Sequence, residues 1–395
     1  MAFCFYTVYL SVIFTAMRQR QKISVVKKRV ITIIILAIVY FLLQLLEDHP
    51  EAIERYYSTG IYPIICRVLH PVFNLLPFSI GDILYLVAIG FIIYYLVKLF
   101  GLLFKKQFKI AGILVLGIIV TLQIATVSFY CLWGLNYFRP SAGERLKLSD
   151  SDYTTTQLYN LTQLAIDSAN ATRLRVTVAD LHQGNKAIIQ TAITAVKAMS
   201  ASSNNFLTYS PDIKLSLFSP LINYLGTSGY YNPFTTESQI NYQMPVFLKP
   251  FVACHEMSHQ MGYGAEDEAN FVGFLIGIKS NDRLLRYSAW HELVDECMGD
   301  LHMRDSTLQI QLKKRVLPQV HLDFVAERNY WISHESTIDV ISSLFYNNFL
   351  KANNQPHGLQ TYNRMVRLVM SWERGERSGV PEDEKRSGER SARGR

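Results

Sequence analysis

Long apolar runs crowd the first third of the chain and then stop. Ile31 to Leu46, Ile80 to Val97 and Ile110 to Trp133 are almost free of charge, and each is close to the ~20 residues an α-helix needs to cross a bilayer. They predict three transmembrane helices within residues 30–133. Asp82 is the one acid among them, and its place near a run's end predicts snorkelling to the interface. Met1 to Met17 is also apolar and uncharged. It lacks the basic leading region and small-residue cleavage site of a signal peptide, and reads either as a fourth span or as an extension ahead of the true start.

Beyond Trp133 the apolar positions recur at helical spacing instead. Thr154 to Asn170 carries Leu158, Leu161, Leu164 and Ile166, Asn185 to Met199 repeats Ile and Ala, and Asp282 to Met303 and Leu322 to Phe349 are longer amphipathic stretches. Strand signal gathers in Gly226 to Tyr242, where glycine and Asn232-Pro233 turn signals lead into Ile240, Asn241 and Tyr242. This stretch reads as an edge strand beside a cleft, suited to pairing with an extended substrate, or as an ordinary hairpin edge. No internal repeat is present.

The expected organisation is a possible extra span and basic stretch in 1–29, transmembrane helices in 30–133, a mainly α (α+β) domain with a small β edge in 134–373, and a tail in 374–395. The domain, at about 240 residues, is long enough for a full core. The tail mixes both charges with almost no apolar residue and is expected to be disordered.

Charge sets the topology. Arg18, Arg20, Lys22, Lys27, Lys28 and Arg29 precede the first span, and Lys98, Lys105, Lys106 and Lys109 lie between the second and third, whereas Glu47 to Ser79 carries only Arg55 and Arg67. Basic segments stay in the cytoplasm, so a multi-pass membrane protein is expected, with everything beyond Trp133 outside the cytoplasm. The net charge of +7 is mostly this topological signal plus the tail. Basic residues are not interleaved with aromatics on one face, which argues against a nucleic-acid partner; the lipid bilayer is the partner these segments imply. Five cysteines show no CxxC spacing. Cys4 and Cys131 fall in apolar runs, and for Cys254 and Cys297 buried free thiols are expected over a bridge.

The chemistry concentrates in residues 255–259, His-Glu-Met-Ser-His. One helical turn apart, His255 and His259 present their imidazoles on one face to a single ion, with Glu256 beside them to move protons. Pro250 suits a first turn, and Gly262 and Gly264 supply stop signals. A second helix, Glu266 to about Lys279, carries Glu266, Asn270, Gly273 and Gly277 on one stripe, and the two glycines let another backbone come close. Zinc takes three protein ligands and leaves a fourth position for water. Glu266 is the expected third ligand, because Glu268 lies about 200° around the helix. Asn270 is placed to orient a ligating histidine.

The order HExxH then ExxA(D/N) resembles the gluzincin metallopeptidases, in which the Glu opening the second motif is a metal ligand. Six residues between His259 and Glu266 is a short gap for that group. The resemblance implies a zincin-like fold, Zn2+ on His255, His259 and Glu266, Glu256 as general base, and a peptide or protein substrate. A further donor would face the tetrahedral intermediate. His291, Tyr330, His334, His357 and Tyr362 are of suitable type, and Tyr362 and His291 are the two singled out.

Several stretches together, YYSTGIYPIICRVL, LPFSIGDILYL, WGLNYFRP, SGYYNPFTTESQINY, PFVACHEMSHQMGYGAEDEANF and NNFLKANNQPHGLQTYNRMV, resemble a family of bacterial membrane proteins that carries a domain of unknown function related to zinc metallopeptidases. That resemblance covers residues 30 to 370 and implies a few N-terminal spans and an outward catalytic-type domain. The expected function is a membrane-anchored zinc peptidase on the extracytoplasmic side. A non-catalytic sensor or scaffold that binds metal or peptide is the alternative. A site within the bilayer is disfavoured, because Phe251 to Lys279 is charged and broken by glycine.

Overall fold

A computed structural model describes the backbone of residues 2–148, 152–355 and 362–377, and the side chains of 24–148, 152–355 and 364–375. The chain divides into two compact units. One is Met1–His49 with Ile83–Trp133, and the other is Pro50–Asp82 with Gly134–Arg395.

The first unit holds α1 (Ala2–Glu47). After α2 (Tyr62–Phe73) of the other unit, the chain returns to it with α3 (Ile80–Phe104) from Ile83 onward and α4 (Phe108–Leu132). Ser24–Glu47 of α1, α3 and α4 are each long and apolar enough to cross a membrane. α1 packs along α4, where the Tyr40 and Tyr130 rings lie 5.8 Å apart. The side chains of Met1–Met17 fall outside the described residues, as does the tail beyond 377.

The second unit is mostly helical because the sequence after Gly134 carries helical spacing and good caps. The helices of eight residues or more in this stretch are α5 (Thr155–Arg173), α6 (Asn185–Ser202), α7 (Lys249–Gln260), α8 (Glu266–Lys279), α9 (Arg283–Arg304), α10 (Ser306–Lys313), α11 (Pro318–Ile332), α12 (Thr337–Ala352) and α13 (Tyr362–Arg377). Thr154 and Gln157 form a capping box on α5, and Asp282 accepts from Leu285 N to cap α9. The amphipathic stretch from Leu322 to Phe349 is not continuous. It breaks at Ser333–Ser336, where the Ser336 side chain caps α12, a local hydrogen bond that apolar periodicity does not reveal. The core joins Leu158 and Ile166 of α5 to Met257 of α7, Phe271 and Leu275 of α8, and Leu293 and Val294 of α9. Cys254 and Cys297 are buried there as free thiols.

Three short strands, β1 (Ile213–Leu215), β2 (Gly229–Asn232) and β3 (Glu237–Ile240), form a sheet in the order β1-β3-β2. β3 runs parallel to β1, with Ile213 opposite Ser238, and antiparallel to β2, with Gly229 opposite Ile240. The stretch that ends in Ile240, expected at an edge, is therefore the middle strand. β1 arrives from sequence with no strand signal of its own and occupies the side that looked open. β2 pairs with β3 alone among the described residues.

Pro50–Asp82, which lies between the first two apolar runs, packs with the sheet. Buried Lys214 of β1 donates from Nζ to Phe73 O at 2.6 Å, Phe78 O at 3.1 Å and Glu237 Oε1 at 2.6 Å. Asp82 does not snorkel. It is fully buried and accepts from Leu217 N at 2.7 Å and from the Tyr230 hydroxyl, so protein donors replace the water it was expected to reach.

Candidate metal centre

α7 begins with Pro250 in its first turn and lies between the sheet and α8. Ser238 of β3 donates from its hydroxyl to Glu256 O at 2.8 Å, which fixes the helix against the strand. On the other side α8 comes very close. A Cβ at Gly273 would sit 3.2 Å from His255 N, so glycine there is what lets Glu266 and Asn270 reach the histidines. Gly277, expected on the same contact, faces α9 instead, where a Cβ would lie 2.4 Å from that of Ala289.

The short gap between His259 and Glu266 is closed by Gly262, whose φ of 81° lies in the left-handed region that glycine enters freely. Arg139 braces this turn, donating to Gly262 O at 3.0 Å while it grips Glu54 in a two-point ion pair at 2.7 and 2.8 Å. The same turn brings Tyr263 O to 2.7 Å from His259 Nδ1. The short connection thus supplies an acceptor for the second imidazole.

The two rings lie 4.9 Å apart and nearly perpendicular. His255 Nδ1 is 2.6 Å from Asn270 Oδ1, and His259 Nδ1 faces a carbonyl that can only accept. Both Nδ1 atoms therefore carry hydrogens, and both Nε2 atoms present lone pairs inward. What they face is a carboxylate: Glu266 Oε2 is 3.3 Å from His255 Nε2, and Glu266 Oε1 is 3.8 Å from His259 Nε2. Three acceptors converging in this way need a cation or a proton between them. Donor atoms around a tetrahedral ion with bonds of roughly 2.1 Å lie about 3.4 Å apart, so these separations fit one.

Glu256 completes the cluster, since one donor atom each of His255, Glu256 and His259 lies within 4.8 Å of the others. It is the less suitable third ligand, because Glu266 is the carboxylate in contact with both Nε2 atoms. Glu268 points away, accepting from Ala142 N at 2.6 Å and pairing with Arg145 at 3.4 Å.

The electrostatics describe a site that takes up a proton when no ion fills it. Burial alone would lower His255, but the Glu266 hydrogen bond and the charges of Glu256 and Glu266 hold it up at about 9. Burial, with His255 beside it, pushes His259 down to about 4. Glu266 drops to about 2 against its burial because both imidazoles favour the carboxylate. Burial, and then Glu266, raises Glu256 to about 8. The site remains open to water, with the His255 side chain 13% exposed and that of Glu266 23%.

Three neighbours were not legible in the chain. Gly229 of β2 abuts Glu256, because a Cβ there would fall 2.6 Å from Glu256 Oε1 and 2.8 Å from Gln239 O. Tyr231, two residues on and so on the same face of the strand, lies with its ring 6.3 Å from His259. Tyr346 of α12 donates from its hydroxyl to Glu266 Oε1 at 2.6 Å. The glycine and Tyr231 stood within a stretch already marked as β, but nothing in a single sequence marks Tyr346.

The other donor candidates are placed elsewhere or not described. His291 is 1% exposed and stacked on Phe324 at 4.0 Å, within an aromatic layer completed by Phe247 and Tyr287. Tyr330 bonds to Asn223, and His334 folds back on Tyr330 O at 2.8 Å. His357 and the side chain of Tyr362 lie outside the described residues.

The chain belongs to the family described as Protein of unknown function (DUF3810), whose family model matches residues 57–370 and so takes in every residue of this cluster. No curated protein and no solved structure matches it.

Proposed function

We propose that this chain is a membrane-anchored, zinc-dependent peptidase working on the extracytoplasmic side. The observation that carries the reading is the convergence of His255 Nε2, His259 Nε2 and the Glu266 carboxylate, with both Nδ1 atoms already committed. Zinc held by these three would supply a Lewis acid that lowers the pKa of a water to about 7 and polarises a scissile carbonyl. Glu256, with a carboxylate oxygen within 4.8 Å of a ring nitrogen of each histidine, would take the proton of the attacking water and pass it to the leaving amine. The Tyr346 hydroxyl stands beside Glu266 as a donor for the oxyanion. Gly229 and Tyr231 of β2, beside Glu256 and His259, line the position an extended peptide would take.

Topology supports an outward site. Pro50–Asp82 and the residues after Gly134 share one compact unit, so helices that span must return both to the same face, and the lysine- and arginine-rich segments mark the opposite face as cytoplasmic. The test is Glu256→Gln. A peptidase keeps its zinc and loses about 10²- to 10⁴-fold in turnover of a fluorogenic peptide library, whereas a metal-binding sensor or scaffold shows no turnover in either form.

A further inference from the structure

Ile61, Ile64, Val68, Val72 and Leu75 recur at steps of three and four along α2 and its flanks, so they form one stripe. All five are more than half exposed. The opposite stripe, Tyr62, Cys66 and His70, is buried. It is also pinned to the domain. The Tyr62 hydroxyl donates to Gln260 O at 2.9 Å, His70 Nδ1 meets Tyr209 O, and Asn74 donates to Ser210 O at 2.8 Å. The polar and aromatic side of this helix faces protein and its aliphatic side faces out, the reverse of a solvent-facing helix. Single exposed aliphatic residues are ordinary, but an aligned row of five marks a contact surface.

We propose that this stripe of α2 rests in the interface of the lipid bilayer, so that the helix lies in the membrane plane while its other side holds the end of the HExxH helix. The proposal rests on reading α3 as a membrane span. Leu75 is only five residues before Ile80, where α3 begins, and five extended residues reach at most about 18 Å. The stripe is thus tethered close to the headgroup layer, which is roughly 5–8 Å thick on each side. A second copy of the chain would have to reach the stripe through that same layer. The exposed guanidinium of Arg67, held over the Tyr209 ring at 4.5 Å, lies beside the stripe and suits anionic headgroups. Interfacial helices bury their apolar face in this way, and here the domain takes the place of water on the polar face.

The test uses the full chain with Cys4→Ser and Cys131→Ser, which leaves only the buried Cys66, Cys254 and Cys297, in vesicles of phosphatidylcholine and phosphatidylglycerol. Single nitroxides are placed through Ile64→Cys or Val68→Cys, with Lys186→Cys, at an exposed position of α6, as reference. Labels at 64 and 68 should be reached by oxygen and shielded from a water-soluble nickel chelate, with the reverse at 186. Nickel access at 64 and 68 equal to that at 186 would overturn the proposal. So would dipolar broadening that disappears on dilution with unlabelled chain, because that outcome makes a second copy the occupant. Label depth depends on neither metal nor turnover, so this result and the peptidase reading can fail separately.

Discussion

His255 Nε2 and Glu266 Oε2, from two different helices, stand 3.3 Å apart, a separation that a shared proton or a bound cation fills. Asn270 keeps the arrangement in place by occupying His255 Nδ1 at 2.6 Å. Loss of such a supporting partner typically costs 10- to 100-fold in metal affinity. Asn270→Ala should therefore weaken zinc binding by about that factor, measured by competition with a chromophoric chelator, while the fold persists.

Gly229→Ala tests the placement of Glu256. The added Cβ would collide with Glu256 Oε1 at 2.6 Å and with the Gln239 carbonyl at 2.8 Å, and its nearest neighbours belong to neither the histidines nor Glu266. Zinc content should stay near that of the unaltered chain. Displacing a reacting group by about 1 Å costs roughly 100-fold, so turnover should fall on that scale. The double variant with Glu256→Gln should be no slower than Glu256→Gln alone, and additive losses would place the effect elsewhere.

Much of this cluster was readable because its geometry is local. An i, i+4 pair on a helix fixes His255 with His259, the same rule links Glu266 to Asn270, and Gly273 marks where the two helices touch. What escaped reading arrives from a distance. Gly229, Tyr231 and Tyr346 reach the site through a hairpin and a helix whose positions depend on long-range packing. β1 has no strand signature and takes its form from pairing with β3. Asp82 looked like an interfacial acid because the donors that bury it, Leu217 N and the Tyr230 hydroxyl, lie about 140 residues away.

Tyr346→Phe removes one hydroxyl and leaves the ring packed against Phe349, 6.2 Å away. If that hydroxyl serves the oxyanion, kcat should fall by about 10²- to 10³-fold with little change in KM. Metal content should be unchanged. A loss of zinc in this variant would instead make the tyrosine a support for Glu266.

His291 supplies a pH dependence remote from the proposed ligands. Burial pushes its imidazole down to about 3, whereas in the unfolded chain it titrates near 6.5. Its contribution to stability is complete above 6.5 and is lost as pH falls toward 3, because only the unfolded chain takes up the proton. Its neighbour Glu327, raised to about 8 by burial, acts in the opposite sense. His291→Phe isolates the histidine. Relative to the unaltered chain it should gain about 1.4 kcal/mol per pH unit between pH 6 and pH 4, read from denaturant unfolding in detergent.

The most direct measurement is the zinc content of the full chain, purified in detergent so that Pro50–Asp82 stays with the rest of its unit. It should be about one per chain, and His255→Ala, His259→Ala and Glu266→Ala should each abolish it, with Glu268→Ala indifferent. A chain that binds no zinc, or binds it equally well without those side chains, would contradict a metal centre built on them.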